Sequence, residues 1–391
     1  MHRPASEDAR VTIGYFSLHT WLGGGEYSLY YLMKSIDQNR FRPLLIVNER
    51  GPLTEIVEKS GIEIALVPFI VATPVEMLKP RNIVGNMRAS LRIARVVEER
   101  RIEIIHCTDI LTLFLLFRTL VKRRLPVIYN LFVFYSIPRS WLLNILTFLC
   151  VDWIVTNSMA VKKDFLRKTV GAGSRTTVIH CGVDSTRFYP RGDKERMGVR
   201  QSLGLPCDKK VIGFIGRYEV WKGHLTFIEA AYRLLSLHDD LYFIMVGGPI
   251  TSRIAPQVSR YKEKVTKTIQ RLGLNGKLIT WDHRDDIPAI MAALDVFVCP
   301  SDSEPFGLVA LEAWESGAPV VASGTVGAVE VLRETPGVFV AEAGNSASFV
   351  GEIEKALKLP PAEIAMKRTY GKHGWQTYAR QFEAVYEKAA A

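Results

Sequence analysis

Twice along this chain a short apolar run leads into a glycine-containing loop and then into a helical pattern. Each time, strand-like and helix-like segments go on alternating through that half. This constrains the fold more than any other feature, because parallel strands need long crossovers and the intervening helices supply them. In the first half the expected strands are Val11–Phe16, Leu44–Asn48, Ile62–Val67, Ile102–His106, Pro126–Leu131, Trp153–Thr156 and Thr177–Ile179. Between them lie helices such as Glu26–Ile36 and Val84–Glu99, and in the second of these Val84, Met87, Leu91, Ala94 and Val97 fall on one face at helical spacing. The segment Asp184–Asp208, with two prolines, several charges and few apolar residues, reads as a linker. Strands resume at Val211–Ile215, Leu241–Val246, Lys277–Thr280, Val296–Val298 and Val320–Ala322. The expectation is an α/β chain of two doubly wound domains facing each other, residues 1–187 and 188–374, with ligands at the carboxyl ends of the strands.

Composition removes other classes. With 48% hydrophobic and 23% charged residues among 391, disorder, collagen and coiled coil fall away. Five scattered cysteines without a Cys-x-x-Cys pair exclude a zinc ribbon and point to a reducing compartment. The apolar run from Val11 is too short for a signal peptide, and Pro138 and Arg139 divide the best candidate for a membrane span. A cytoplasmic protein is expected, soluble or peripheral on the inner face of the cell membrane.

The net charge of +10 is unevenly spread. Residues 1–190 carry 25 Lys and Arg against 16 Asp and Glu, whereas the rest carry 25 against 24. Nucleic acid, an anionic membrane or a phosphorylated small molecule could each be drawn to the first half. No nucleic-acid-binding signature accompanies the charge, so nucleic acid is not expected. Arg118, Lys122, Arg123 and Arg124 end one helical segment, and Arg139-Ser140-Trp141-Leu142-Leu143 opens another, continued by Leu146 and Phe148. Cations beside Trp and leucines suit an anionic membrane interface, and core packing of an apolar helix is the competing explanation.

Three segments carry chemistry. Gly23-Gly24-Gly25-Glu26 lets the backbone approach a phosphate at a helix N-terminus. Its Gly23-x-Gly25-x-x-Ser28 spacing, with Glu49 further on, nearly matches a dinucleotide fingerprint, which keeps a nicotinamide-dependent oxidoreductase open. A tight turn without a ligand is the alternative explanation of the loop. In the second segment a strand ends in Gly216-Arg217, with Lys222-Gly223 at the start of a helix, so two fixed cations can meet a diphosphate without a metal. The third runs from Pro300 to Ala313, where Glu304 is expected in a loop and Glu312 about two turns into the following helix. One carboxylate could hold a sugar and the other a ribose, with the N–H groups of Phe306 and Gly307 turned toward an anion between them.

With these residues in view, the chain resembles a retaining glycosyltransferase of the GT-B fold in family 4. Gly23-Gly24-Gly25-Glu26 resembles that family's first-domain loop, and Val178–Asp184 its inter-domain segment. Gly216-Arg217…Lys222-Gly223 resembles its diphosphate site, and Glu304…Glu312 its paired glutamates. Gly317-x-Pro319-Val320-Val321-Ala322 and Gly327-x-x-Glu330 continue the likeness over nearly the whole chain. The resemblance implies a nucleotide-sugar donor, no cofactor and no metal. It implies that Arg217 and Lys222 bind the diphosphate, Glu304 the transferred sugar and Glu312 the ribose, with Gly23, Gly24, Phe306, Gly307 and Leu308 around the donor. The base falls near Trp281–Arg284, with His283 and Arg284 as contacts. His106 and Asn130 stand where the first domain would reach the sugar or acceptor, with a buried structural histidine as the other reading of His106. The last helix, Trp375–Lys388, resembles the family's terminal helix that crosses back onto the first domain.

Two departures accompany the likeness. His180-Cys181 replaces the usual Pro-Asn, and Tyr129–Phe134 lacks the histidine that members commonly place after the fifth strand. The function expected is transfer of a sugar, with retention, from a nucleotide diphosphate to a cell-surface glycan or lipid-linked acceptor. A non-catalytic sugar-nucleotide or membrane-binding module is the other alternative.

Overall fold

The computed structural model describes residues 9–70, 80–122, 124–134, 147–248, 256–359 and 371–390. The chain divides into two compact units: Met1–Ile179 together with Trp375–Ala391, and His180–Gly374.

The first unit contains β1 (Val11–Phe16), α1 (Gly24–Ser35), β2 (Phe41–Val47), α2 (Pro52–Lys59), β3 (Glu63–Leu66) and α3 (Pro80–Glu99). It continues through β4 (Ile104–Cys107), α4 (Thr112–Lys122), β5 (Val127–Leu131), β6 (Trp153–Thr156), α5 (Met159–Lys168) and β7 (Thr176–Val178). The strands form one parallel sheet in the order β3-β2-β1-β4-β5-β6-β7, as alternating βα units require. Strand order reverses between β1 and β4, where a doubly wound sheet opens a crevice at its carboxyl edge. One face of the sheet packs Phe16, Ile46, Ile105 and Tyr129 against Ala89, Ile93 and Val97 of α3 and Leu113 and Leu116 of α4. Each of the Val, Leu, Ile and Phe side chains among them contributes about 1.5–3 kcal/mol on burial.

The expected face of α3 is buried at its end, at Val97, but its first three members face solvent. Val84, Met87 and Leu91 are 50, 64 and 43% exposed, while Ala89, Ser90, Ile93 and Val97 are buried. The reason is geometric. Arg88 and Arg95 lie on the helix surface between Val84 and Leu91, so turning that row inward would bury two guanidinium groups without partners.

The second unit contains α6 (Asp193–Ser202), β8 (Lys210–Ile215), α7 (His224–Leu235), β9 (Leu241–Val246), α8 (Pro256–Arg271) and β10 (Leu278–Trp281). It continues with α9 (Ile287–Ala293), β11 (Val296–Cys299), α10 (Leu308–Glu315), β12 (Val320–Ser323), α11 (Val329–Leu332), β13 (Val338–Ala341) and α12 (Ser346–Leu357). Its parallel sheet runs β10-β9-β8-β11-β12-β13, with the reversal between β8 and β11. The segment expected to be only a linker holds α6. Few apolar residues mark it because its buried contacts are made by cations: Arg196 and Arg200 reach Asp295 at 2.9 and 2.5 Å. Asp295 also accepts the Val211 N–H at 2.6 Å.

After residue 374 the chain returns to the first unit as α13 (Trp375–Ala390), which packs against α1 and β4. The face predicted from Trp375, Tyr378, Phe382 and Tyr386 is the buried one. Trp375 stacks on Tyr31 at 4.9 Å, and Glu383 accepts the Asp37 N–H at 2.8 Å.

Candidate functional site

The two loops that flank the strand reversal in the second unit carry most of the residues expected to bind the donor. The first leaves β8 at Gly216, passes Arg217 and makes a 3₁₀ turn over Val220–Lys222 before α7. Gly223 joins the turn to α7 at φ +77°, and a Cβ there would lie 2.0 Å from the Pro300 carbonyl oxygen. Only glycine permits this approach, and it brings Lys222 against the loop that follows β11. His224, the first residue of α7, is buried against Tyr218, and burial pushes its pKa down to about 4.

The second loop, residues 300–307, leads into α10. Lys222 Nζ donates to Glu304 Oε2 at 2.5 Å, and the Ser301 hydroxyl donates to the same oxygen at 3.3 Å. The backbone clasps Glu304 in place: its carbonyl accepts the Gly327 N–H at 3.1 Å, and residue 304 bridges residue 326 in parallel. Gly307 caps α10 at φ +86°, and a Cβ there would meet Glu304 Cγ and Val326 Cγ1, each at 2.9 Å. The cap residue therefore offers no side chain to the first N–H groups of α10, which start at Leu308 beside the buried Phe306. Glu312 stands in the second turn of α10, one turn nearer the start than expected. Burial raises its pKa to about 7, with Arg187 acting in the opposite direction.

The third loop follows β10. Arg284 forks onto Asp286 at 2.8 and 2.6 Å and lies 4.9 Å from the Trp281 ring centroid. His283 is exposed, 3.5 Å from Asp285. The close approach of Gly248 to the His283 backbone joins the loops after β9 and β10. Lys222 and Glu304 are thus in contact, with Arg217 earlier on the same loop as Lys222 and with Glu312 and Phe306–Leu308 at the adjoining helix, while Arg284 is already engaged within its own loop. Among the described residues no three His, Cys, Asp or Glu side chains are grouped to hold an ion.

In the first unit Gly23 caps α1, and its N–H donates to Glu26 Oε2 at 3.1 Å, with Gly24 opening the helix. His106 and Asn130 correct the expectation that they reach a sugar or acceptor. Both are buried under α13, with His106 Nδ1 2.7 Å from the Tyr386 hydroxyl and Asn130 Nδ2 donating to the Tyr378 hydroxyl at 3.5 Å. Burial pushes the His106 pKa down to about 3, so it is a neutral core histidine. Their tyrosine partners lie roughly 250–280 residues away in the chain, and no local signal announces them. Sequence reasoning also passed over Glu219 and Trp221, which touch the two cations.

Comparison with known proteins identifies the family and the fold. Residues 22–187 match the family model "Glycosyltransferase Family 4", and residues 196–373 match "Glycosyl transferases group 1". A D-inositol 3-phosphate glycosyltransferase of Corynebacterium glutamicum is 28% identical over 251 residues, 61% of this chain and 58% of the relative. The alpha-maltose-1-phosphate synthase of Mycolicibacterium smegmatis is 28% identical over 257 residues, 61% and 64% of the two chains. The chain thus spans somewhat over half the length of the curated relatives it matches. Among solved structures, Anabaena HepE in complex with UDP and glucose superposes with a TM-score of 0.79 at 21% identity, covering 97% of this chain and 100% of that one. A glycosyltransferase from Rickettsia africae gives 0.80 at 19% identity, covering 97% and 98%. The fold is that of the GT-B glycosyltransferases, and the chain belongs to the family 4 (group 1) glycosyltransferases.

Proposed function

We propose that this chain is a retaining, metal-independent glycosyltransferase that moves a sugar from a UDP-sugar to a cell-surface glycan or a lipid-linked acceptor. The observation that carries the reading is the Lys222–Glu304 contact at the strand reversal of the second unit, with Arg217 on the same β8 loop and the side-chain-free cap of α10 following Glu304. Negative charge builds on the departing diphosphate as the glycosidic bond breaks, and fixed cations offset it. Glu304 accepts hydrogen bonds from the sugar hydroxyls and Glu312 from the ribose. Retention follows from front-face attack, in which the leaving phosphate takes the acceptor's proton and no carboxylate nucleophile is needed. The choice of uridine draws support from the UDP bound by Anabaena HepE. A nicotinamide oxidoreductase leaves these charged residues without a role.

The acceptor side is the basic first unit. Six exposed cations, Arg88, Arg92, Arg95, Arg118, Lys122 and Arg124, have no ion-pair partner among the described residues; the first three share α3 with the exposed Val84, Met87 and Leu91, and the others lie on or just after α4, which packs against α3. We read this surface as resting on an anionic membrane, where a lipid-linked acceptor is presented. Of the expected helix from Arg139 on to Phe148, residues 139–146 lie outside the described residues, as does Arg123, and Phe148 is exposed. No helix among them is long and apolar enough to cross a membrane.

A thermal-shift panel of UDP-, GDP- and ADP-sugars tests the donor, because saturating ligand raises the melting temperature by linkage. A shift with UDP-sugars, and turnover that survives EDTA, is the expected result. No shift with any nucleotide sugar, or loss on chelation restored by Mg²⁺ or Mn²⁺, overturns it.

A further inference from the structure

Between the two cations of the donor site lies a carboxylate that no part of the proposed reaction uses. Glu219 Oε1 is 3.1 Å from Arg217 Nη1, and its other oxygen accepts the Trp221 indole N–H at 2.9 Å. The Trp221 ring in turn carries the Lys222 ammonium 4.3 Å from its centroid, and that ammonium donates to Glu304. The chain of contacts Arg217–Glu219–Trp221–Lys222–Glu304 is unbroken, and the backbone reinforces it. Lys222 N–H donates to the Glu219 carbonyl at 3.0 Å, and Asp302 N–H to the Trp221 carbonyl at 2.8 Å.

We propose that Glu219 and Trp221 are positioning residues, a bracket that presents Arg217 and Lys222 in fixed geometry to the diphosphate of the donor. The inference rests on the donor-site reading above. A carboxylate cannot itself bind a diphosphate, since like charges repel, so Glu219 acts through what it holds. Anchored at Nη1, Arg217 keeps its remaining donors free to fork onto phosphate oxygens. The indole serves both neighbours at once, its edge N–H to Glu219 and its face to Lys222. The Arg217–Glu219 pair is 43 and 33% exposed, so it contributes little to folding, and its value lies in orientation.

The geometry gives an unusual kinetic signature. Glu219→Gln keeps an oxygen for the indole N–H but removes a negative charge beside the diphosphate. Binding of UDP, followed by calorimetry, should stay equal or tighten, while kcat with UDP-glucose falls about tenfold as Arg217 loses its anchor. Trp221→Phe keeps the ring face for Lys222 and loses the N–H, so kcat should fall several-fold with KM little changed. Trp221→Leu removes both contacts and should fall further. The double variant Glu219→Gln/Trp221→Phe should lose less than the product of its single losses, because both singles weaken one linked contact. Turnover within twofold of wild type in both Glu219→Gln and Trp221→Phe, or strictly multiplicative losses, overturns the bracket. Arg217→Ala, measured alongside, separates the two levels. If Arg217→Ala lowers kcat and the bracket variants do not, the bracket alone falls. If UDP does not bind wild type and Arg217→Ala has no effect, the donor-site reading falls and takes the bracket with it. A melting temperature close to wild type for Glu219→Gln and Trp221→Phe confirms that the readout is not unfolding.

Discussion

The Lys222 ammonium donates to Glu304 Oε2 at 2.5 Å across 82 residues of sequence, with the two side chains only 12 and 9% exposed. Water screens such a pair poorly, so each charge depends on the other. Lys222→Ala strands the Glu304 carboxylate, and removing one partner of a buried pair costs about 3–5 kcal/mol. Adding Glu304→Gln removes the stranded charge and should return most of that loss. Urea denaturation of the two single variants and the double variant measures the coupling. Additive losses would show that the pair is not coupled in the folded protein.

Arg217 and Lys222 should act on turnover more than on donor affinity. Cations beside the departing diphosphate meet more charge in the transition state than in the intact donor, and only that difference raises kcat. Loss of one preorganised charge partner typically costs ~10²–10³-fold in kcat. Arg217→Ala and Lys222→Ala should each fall in that range at saturating donor. The double variant should lose less than their product, since both serve one diphosphate. Steady-state kinetics below the melting temperature of each variant decides it. Turnover within twofold of wild type in both would remove the cations from the leaving-group site.

Much of this site was legible because its residues are close in sequence to glycines that their backbone requires. Gly223 and Gly307 are needed where chain segments touch, and they mark the loops that carry Lys222 and Glu304. Strand positions were legible from apolar runs, although Pro43 obscured the start of β2 and the short β13 was missed. What stayed hidden was held by partners far along the chain, or by polar groups doing apolar work. The buried contacts of α6 are arginines reaching Asp295, so the segment reads as solvated. His106 and Asn130 have the polarity of site residues, yet their partners, Tyr386 and Tyr378, come from α13. On α3 apolar residues occupy both faces, and periodicity alone could not choose between them.

Glu312 should make both stability and donor binding depend on pH. Its pKa is about 7 in the folded protein against an ordinary 4.5, so the folded state binds this proton more tightly than the unfolded chain. The group's contribution is therefore most favourable below pH 4.5 and is lost as pH rises through about 7. Glu312→Gln cannot ionise and should be more stable than wild type above pH 7, by on the order of 2–3 kcal/mol, with the difference vanishing toward pH 4.5. Glu312→Ala should bind UDP about tenfold more weakly, through lost ribose hydrogen bonds. Melting curves from pH 4.5 to 8.5, with calorimetry of UDP, test both parts. A pH-independent difference between Glu312→Gln and wild type would mean the carboxyl titrates normally.

The exposed face of α3 makes the last prediction, because its residues suit a lipid surface better than water. Val84, Met87 and Leu91 are 50, 64 and 43% exposed, and Arg88, Arg92 and Arg95 stand beside them on the same helix. The neighbouring α4, which packs against α3, carries the exposed Arg118 and Lys122. Each cation near an anionic leaflet contributes about 1 kcal/mol, and salt screens the attraction beyond a Debye length of ~8–10 Å. The apolar row adds a smaller gain that salt does not remove. The chain should therefore bind phosphatidylserine-containing vesicles and not neutral ones, with affinity falling between 0.1 and 0.5 M NaCl. Arg88→Glu with Arg92→Glu should abolish the preference for anionic vesicles. Met87→Ser with Leu91→Ser should weaken binding but keep its salt dependence. Neither pair belongs to the donor loops, so hydrolysis of a soluble UDP-sugar should continue unchanged in both. Equal sedimentation with neutral and anionic vesicles, or binding indifferent to the arginine reversals, would leave these cations to solubility alone.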